Sequence, residues 1–399
     1  MTATVTAPAD QHWPWWPLLP LYPYGRRPTL VRELVPGRIW SFEQLHGVWY
    51  VAVPIRMTVV QVEEGLMLYS PIPPTGEVLQ ALHQLERQHG PVRSIVLATS
   101  SGLEHKLPVP AMARAFPSAT VWVSDCQWSF PLRLPGAWLG FPAERTRVLG
   151  RDGYPGGDQL RWFPLGPLDL GLGTFLELAC LDLATGCLLV IDALVSIPAV
   201  PPAVFDLDPT PLLFHARERG SELLIDTSAN RLRGWKRIVL FANFFRPASV
   251  SIPALPEIFS EAMAARHRSN RNHFGFYPFR WSADWEQQAG ELLAAGNGMN
   301  GIGIAPVLER LVFPRSKRAY LEWLRHLGSQ DGLSKLISAH YAAPVEVCAL
   351  TFKQLIAGIE HRCWALSEGS WQVLASIDNS LIRLGIVPHP SSEDHPPSS

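Results

Sequence analysis

The stretch SIVLATSSGLEHK, Ser94 to Lys106, decides how the fold of this chain is predicted. It starts as a short apolar run typical of a buried strand and continues into a polar loop that ends in an adjacent carboxylate and imidazole, Glu104 and His105. PVPAMARAF, residues 108–116, predicts a helix opened by proline, and ATVWVSD, residues 119–125, predicts the next strand. In open α/β sheets ligands bind beyond the carboxyl ends of the strands, so Glu104 and His105 lie on the loop expected to carry function.

The segments on either side of this unit add further strands and a helix. Residues 30–69 contain short β-branched and aromatic runs separated by turn residues, which predict a β meander. GEVLQALHQLERQHG, residues 76–90, has apolar residues at helical spacing and ends at a glycine. FLELACLDLA and CLLVIDAL predict a hairpin that turns at residues 184–186, which places Asp192 at the end of an apolar strand. KLISAHYAAP predicts a last short strand that ends at His340.

Composition limits the classes of protein to consider. The chain has 399 residues, 47% of them hydrophobic, which is enough to bury the core of one large domain or two ordinary ones. Thirty-four basic and 35 acidic residues give a formal net charge of -1, so no global field attracts nucleic acid, and no nucleic-acid partner is expected. The five cysteines are scattered without a CxxC motif, which argues against a disulfide framework or a thiolate zinc site and predicts a reducing, cytoplasmic location.

The beginning of the chain is rich in proline and tryptophan. WPWWPLLPLYPY, residues 13–24, is interrupted by four prolines and is not expected to be a signal peptide. We expect an irregular arm whose aromatic side chains dock on the core or make peripheral contact with a membrane. No stretch supplies the roughly 20 apolar residues of a spanning helix, so no transmembrane segment is expected.

The rest of the chain divides into a main domain and helical additions. An insertion rich in arginine and aromatic residues interrupts the main domain, with helices predicted near residues 253–266 and 282–295. The predicted parts are an arm at 1–30, a main domain at 31–345 with the insertion at 206–300, a helical extension of two helices at 346–387, and a disordered tail at 388–399.

The order of these segments resembles the metallo-β-lactamase fold, an αββα sandwich of the α/β (α+β) class. In that family the loop after the first αβ strand reads THxHxDH, and Thr99 to His105 occupies that place here. An Asp ends a later strand as in TGDAL, matched by Val190 to Leu194, and a final His ends a strand as in PGHG, matched by Ser338 to Tyr341. The chain also resembles a narrower, functionally uncharacterised group of such proteins in GLEHK, LRGWKRIVLFANFF and ISAHYAAP.

The resemblance implies a metal site of which only part is present. Ser100 and Gly102 replace the first two histidines, and LGLGTF, residues 170–175, stands where the family has a GHTPG-like turn. The three imidazoles that hold one metal in the family are therefore missing, which implies loss of the dinuclear centre. The positions that hold the second metal carry Glu104, His105, Asp192 and His340. Two imidazoles and two carboxylates suit one zinc, iron or manganese ion.

Each of these residues also has a structural interpretation. Glu104 can stabilise the N-terminus of a helix, where a carboxylate is favoured by about 0.3–1 kcal/mol. His340, in an apolar segment, can be a satisfied buried histidine. Asp192 is harder to explain, because a buried carboxylate requires a partner. One bound ion and a metal-free remnant therefore both stay open. The basic run RHRSNRNH, residues 266–273, similarly favours a solvated helix end over a phosphate- or RNA-binding segment.

Two functions from different classes follow. A single metal ion at the four residues would activate water or polarise a carbonyl, which predicts chelator-sensitive hydrolysis of an ester or thioester. The alternative is a non-catalytic binding or assembly protein whose aromatic arm and insertion dock a protein partner or a small hydrophobic molecule. From the sequence it stays uncertain whether the chain is an enzyme.

Overall fold

The structure is a computed structural model that describes residues 22–23, 26–48, 50–127, 134–170, 173–296, 301–361 and 366–390. Most of the predicted arm, residues 1–30, and most of the predicted tail, residues 388–399, lie outside the described residues.

Within the described residues, seven strands form the first sheet in the order in which they occur along the chain. The first four pair antiparallel, as the predicted meander requires, and the fourth to seventh pair parallel. The SIVLAT run is buried almost throughout because both faces of a parallel sheet are covered. The strands are β1 (Leu30–Val35), β2 (Ile39–Val48), β3 (Val51–Val62), β4 (Gly65–Tyr69), β5 (Val92–Leu97), β6 (Thr120–Val123) and β7 (Thr146–Val148).

A second sheet is built from the later part of the chain. Its order is β14-β13-β10-β9-β8, with β8–β9–β10 antiparallel and β13 added parallel to β10. The described strands are β8 (Leu160–Asp169), β9 (Thr174–Asp182), β10 (Cys187–Val190), β13 (Lys335–Ser338) and β14 (Val345–Glu346), and a separate two-stranded ribbon joins β11 (Val250–Ser251) to β12 (Arg280–Trp281).

Helices cover the outer faces of both sheets. The first, over the predicted 76–90 segment, is capped by Thr75, which accepts a hydrogen bond from the backbone N–H of Val78, and it ends at Gly90, whose φ of 89° is easy only for glycine. The described helices are α1 (Gly76–His89), α2 (Leu103–Lys106), α3 (Val109–Ala115), α4 (Thr210–His215), α5 (Ser228–Phe244), α6 (Leu255–Ala264), α7 (Trp285–Gly296), α8 (Pro306–Leu311), α9 (Lys317–Gly328), α10 (Ala349–His361) and α11 (Glu368–Arg383).

The buried apolar side chains define the order of the layers. One cluster joins the two sheets directly, with Val60 and Val96 of the first packed with Leu189 of the second. A second cluster packs the other face of the first sheet against α1 and α3, and a third packs the other face of the second sheet against α9 and α10. The order is therefore helix, sheet, sheet, helix, and the predicted αββα sandwich is confirmed.

The insertion packs as a helical group beside the tip of the β2–β3 hairpin. The helices predicted near 253–266 and 282–295 correspond to α6 and α7. The 17-residue helix α5 was not predicted, because its carboxyl-terminal half is buried on nearly all sides and lacks the alternation of polar and apolar faces that marks a helix in sequence. No helix in the described part of the chain combines the length and the apolar character needed to cross a bilayer.

Candidate metal site

Four residues from three distant segments meet where β5, β10 and β13 end. Glu104 and His105 lie on the one-turn helix α2 after β5, Asp192 follows β10 by two residues, and His340 follows β13 by two residues. The Nε2 atom of His340 is 3.1 Å from Oδ1 of Asp192 and 3.5 Å from Oε1 of Glu104, and the His105 and His340 ring centroids are 5.7 Å apart. Ligand atoms of Glu104, His105 and His340 all lie within 4.8 Å of one another, and Asp192 joins this group through its contact with His340.

Two small corrections apply to the local structure. Glu104 and His105 were expected on a loop and are helical, while the strand expected to end at His340 ends at Ser338. His340 instead forms an isolated bridge with Ile55 of β3, and this bridge ties it to the first sheet as well as the second.

Both imidazoles are oriented by backbone carbonyl groups. The Nδ1 atom of His105 is 3.1 Å from the carbonyl oxygen of Pro71, and the Nδ1 atom of His340 is 3.0 Å from that of Pro54. Because a carbonyl only accepts, each Nδ1 carries the proton and each Nε2 faces the cluster. A backbone carbonyl on the outer nitrogen is the usual way in which a metal-binding histidine is held.

The Nε2 atom of His105 has no hydrogen-bond partner among the described residues, although the side chain is fully buried. A ring nitrogen of His105 lies within 4.8 Å of ligand atoms of both Glu104 and His340. A buried nitrogen lone pair without a partner costs free energy unless something binds it.

Charge is unevenly divided within the cluster. Burial opposes the charged form of His340, but hydrogen bonds to Asp192 and Glu104 outweigh it and raise the pKa of this imidazole to about 10. Burial likewise opposes ionised Glu104, but the hydrogen bond from protonated His340 outweighs burial and holds the pKa of Glu104 below its usual range. Burial lowers the pKa of His105, so that ring stays neutral and keeps its Nε2 lone pair available.

A buried carboxylate that sequence reasoning missed shapes the segment carrying Asp192. Glu177, in the middle of β9, accepts hydrogen bonds from the backbone N–H groups of Ile191, Asp192 and Ala193 at 2.8, 2.8 and 2.9 Å. Burial and the nearby charge of Asp192 raise the pKa of Glu177 to about 7. The signal was present, because a glutamate inside the apolar run FLELACL needs a buried partner as much as Asp192 does.

A second buried network holds the segment carrying His340. The guanidinium of Arg56, on β3, donates to the carbonyl oxygens of Ser338 and Tyr341, the latter at 2.7 Å. Glu43 on β2 lies 3.2 Å from Arg56 and neutralises it. Tyr341 itself has a φ of 59°, a left-handed conformation that side chains adopt at a cost of about 1–3 kcal/mol and that concentrates at functional sites.

His46, near the end of β2, is a further member that was not predicted. Burial lowers the pKa of His46 to about 3; the charge of Glu104 acts in the opposite direction, and the positive charges of Arg27 and His340 lower it further. His46 is therefore a neutral imidazole in the surroundings of the cluster. Its position in a continuous strand, paired with Val53, offered no motif by which to find it.

Ser100 and Gly102 stand at the positions where the resembled family has its first pair of histidines, and Ser100 forms hydrogen bonds with the backbone instead. Ser100 donates its hydroxyl to the carbonyl of Thr174 at 2.7 Å and accepts from the N–H of Leu176 at 2.9 Å. The ammonium of Lys106 donates to the carbonyl of Ser100 at 2.8 Å. Of the LGLGTF segment, residues 171 and 172 lie outside the described residues.

The fold and the site define a class of protein: an αββα sandwich in which buried histidines and half-buried carboxylates cluster where the strands end. Residues 36–357 match the family described as "Domain of unknown function (DUF4336)". Because the match covers most of the chain, the protein belongs to that family. No curated protein matches it.

Solved metallo-β-lactamases are distantly similar in structure. The chain is 14% identical to the enzyme from Pontibacter korlensis, covering 54% of this chain and 85% of that one, with a TM-score of 0.31. It is 12% identical to FIM-1 from Pseudomonas aeruginosa in its mono-zinc form, covering 41% and 68%, with a TM-score of 0.30. For the enzyme from Hirschia baltica the identity is 8%, the coverage 44% and 77%, and the TM-score 0.30.

Proposed function

We propose that the protein has lost a dinuclear centre and binds one metal ion through Glu104, His105, Asp192 and His340, as a hydrolase acting on an ester or thioester. The single observation that carries this proposal is the fully buried Nε2 of His105, which has no partner in the described part of the chain, on a ring with a nitrogen within 4.8 Å of ligand atoms of Glu104 and His340. A metal ion would satisfy it, whereas the ion pairs of His340 leave it unbonded.

The donor set fits such an ion. Two imidazoles held by carbonyl groups on their outer nitrogens, with two carboxylates, provide the mixed nitrogen and oxygen ligands preferred by zinc, iron and manganese. His340 would release its proton on binding, because a metal and a proton compete for the same Nε2 lone pair.

A single ion is proposed because the positions of the missing histidines are chemically different. Ser100 uses its hydroxyl on the backbone, and Gly102 has no side chain to offer. The Lys106 ammonium, bonded to the carbonyl of Ser100, adds a positive charge that disfavours a second cation close by.

The residues of the chain would contribute orientation and exclusion of water. When bound, a divalent ion supplies a Lewis acid that polarises a carbonyl and activates water. Pro54 and Pro71 hold the imidazoles through their carbonyl groups, while Glu177 and Arg56 hold the backbone on either side of Asp192 and His340. Burial strengthens the electrostatic interactions of the site with a substrate carbonyl.

A second candidate is the non-catalytic binding or assembly protein. It is favoured by the charge balance of the cluster, since a protonated His340 between Glu104 and Asp192 already pairs both carboxylates without an ion. Under this proposal the cluster is a structural ion-pair network that joins the two sheets.

Elemental analysis of the purified protein separates the two proposals. The hydrolase proposal requires about one equivalent of metal in the parent, loss of that metal in His105→Ala and His340→Ala, and retention in His83→Ala, which changes an exposed histidine on α1. It also requires ester or thioester turnover that a chelator abolishes and added metal restores. A parent protein that takes up no zinc, iron or manganese, even after incubation with each ion, would contradict the hydrolase proposal. The non-catalytic binding or assembly protein would then be the remaining proposal.

A further inference from the structure

An exposed apolar stripe runs along helix α6 in the insertion. Leu255, Phe259 and Met263 are 62%, 58% and 68% exposed and, at spacings of four residues, share one face of the helix. Ile252 just before the helix and Phe274 after it are also exposed, at 60% and 61%. Of the side chains in α6, only that of Ile258 is buried. Exposed apolar groups concentrated in this way mark an interaction surface.

The acidic residues of α6 lie on the other side of the helix and are neutralised within the protein. Glu257 and Glu261 are 3.0 and 2.8 Å from the guanidinium of Arg280, and Glu261 is also 3.2 Å from that of Arg219. At 100° per residue these carboxylates point away from Leu255, Phe259 and Met263. The apolar stripe therefore carries no negative charge of its own.

Positive charge follows the apolar stripe along the chain. Arg266, Arg268 and Arg271 are exposed, and no carboxylate of a described residue lies within 4.0 Å of any of them. Arg268 contacts the apolar stripe directly, since its guanidinium is 3.6 Å from Sδ of Met263 and donates to the carbonyl of Met263 at 3.3 Å. These arginines belong to the basic run RHRSNRNH, which the proposed function does not use.

We propose that the apolar stripe and the three arginines bind the interface of an anionic lipid bilayer. Apolar side chains would enter the boundary between headgroups and acyl chains, and the arginines would contact anionic headgroups, as interfacial amphipathic helices do. A bilayer suits this surface better than a protein partner, because a standard protein interface uses roughly 20–30 residues on each side, many more than this narrow helix offers. The interaction is separate from the candidate metal site.

Sedimentation of the full-length protein with lipid vesicles tests the proposal. We expect binding to vesicles of phosphatidylcholine mixed with phosphatidylglycerol, weaker binding to phosphatidylcholine alone, and release by salt because surface charges are screened. Arg266→Gln and Arg268→Gln should each lower the partition coefficient about fivefold. Phe259→Ser should lower the partition coefficient by about tenfold, because the variant no longer transfers a large apolar side chain from water into the bilayer.

Matched substitutions on another surface serve as controls. Leu350→Ser removes a side chain that is 58% exposed on α10, and Arg87→Gln and Arg114→Gln remove exposed cations on α1 and α3, so these variants should bind as the parent does. The metal content should be the same in all variants, which keeps this test independent of the proposed function.

Three results would overturn the proposal. The first is a parent protein that does not sediment with the anionic vesicles, which includes the case of an apolar stripe covered by a protein partner. The second is binding that Phe259→Ser leaves unchanged. The third is binding lost in the full-length variant Trp15→Ser/Trp16→Ser but kept in Phe259→Ser, which would assign membrane contact to the N-terminal tryptophans.

Discussion

Two buried charged residues, Glu177 and Arg56, fix the backbone on which the candidate site is built. Each is fully buried and bonded mainly to main-chain groups of segments that are distant in sequence. Hydrogen bonds of this kind matter most when one partner is removed, because the buried groups left behind keep the cost of desolvation. Their side chains therefore act as positioning residues in the chain.

Replacing Glu177 should destabilise the whole protein. In Glu177→Ala the N–H groups of Ile191, Asp192 and Ala193 lose their acceptor, and we expect the free energy of unfolding in urea to fall by about 3 kcal/mol or more. Glu177→Gln keeps one side-chain oxygen and should lose less. Glu63→Ala, at an exposed site, is the control and should stay within about 0.5 kcal/mol of the parent. Equal stability of Glu177→Ala and the parent would contradict this account.

The pairing of Glu43 predicts how stability changes in acid. Burial raises the pKa of Glu43, but the charges of Arg56 and Arg32 outweigh it and leave the pKa below its ordinary value of 4.5. The folded state therefore binds this proton less readily than the unfolded state, so the contribution of Glu43 is present above pH 4.5 and is lost as the pH falls through the folded pKa. Glu43→Gln should be less stable than the parent at neutral pH, with a smaller difference at about pH 3. Urea titrations at both pH values measure the difference in free energy of unfolding between the parent and Glu43→Gln. A difference that is the same at both pH values would rule out this linkage.

At the scale of elements, the helices that periodicity predicts are those with one apolar face, and α5 shows what that rule misses. Its buried half carries Ile238, Val239, Leu240 and Phe241 in succession, a run that only a helix surrounded by protein can accommodate. Gly234 lets α5 approach α4 closely, because a Cβ there would lie 1.8 Å from the carbonyl oxygen of Leu212.

Two glycine substitutions test this close approach. Gly234→Ala should lower the free energy of unfolding although alanine is the better helix former by about 1 kcal/mol, since the two helices must move apart. Gly290→Ala in α7 is the matched control, because nothing lies within 4 Å of the position of its Cβ, and it should raise stability by up to about 1 kcal/mol. If both substitutions stabilise the protein, the α4–α5 contact is looser than described.

At the scale of the whole molecule, the candidate site joins the two sheets. Glu104 and His105 follow a strand of the first sheet, whereas Asp192 and His340 follow strands of the second. An ion bound by all four residues would bind only the folded protein and stabilise it through linkage.

Metal binding should therefore raise the thermal stability of the protein. At a free metal concentration of about one hundred times Kd the free energy of unfolding should rise by about 2.7 kcal/mol. A chelator should lower the Tm of the parent and leave the Tm of His105→Ala and His340→Ala unchanged, which scanning calorimetry measures. An effect of the chelator on all three proteins alike would point to binding elsewhere.

Much of the fold could be predicted because its signals are local. The apolar run Ile95–Leu97, the helical spacing of α1 and the hairpin turn at 184–186 depend on neighbours in sequence. The four candidate ligands each end or closely follow an apolar strand, but their choice as a metal-binding set came from the resemblance to the metallo-β-lactamase family. Glu177 was visible as a charge in an apolar strand but had no identifiable partner, and His46 was not marked at all. The predicted domain boundaries, cytoplasmic location and metal assignment stay predictions.

The sequence by itself determined the pattern of strands and helices, because hydrophobic alternation, helical spacing and turn residues depend on neighbours in the chain. The αββα class and the choice of Glu104, His105, Asp192 and His340 as candidates came from the resemblance of that pattern and of its motifs to the metallo-β-lactamase family. Only the tertiary structure decided that ligand atoms of Glu104, His105 and His340 lie within 4.8 Å of one another and that Asp192 pairs with His340. It also decided that the Nε2 of His105 has no partner among the described residues and that α6 exposes an apolar stripe. The physical reason is that distance and burial depend on how two sheets and an insertion pack together, and that packing joins candidate ligands 236 positions apart, Glu104 and His340.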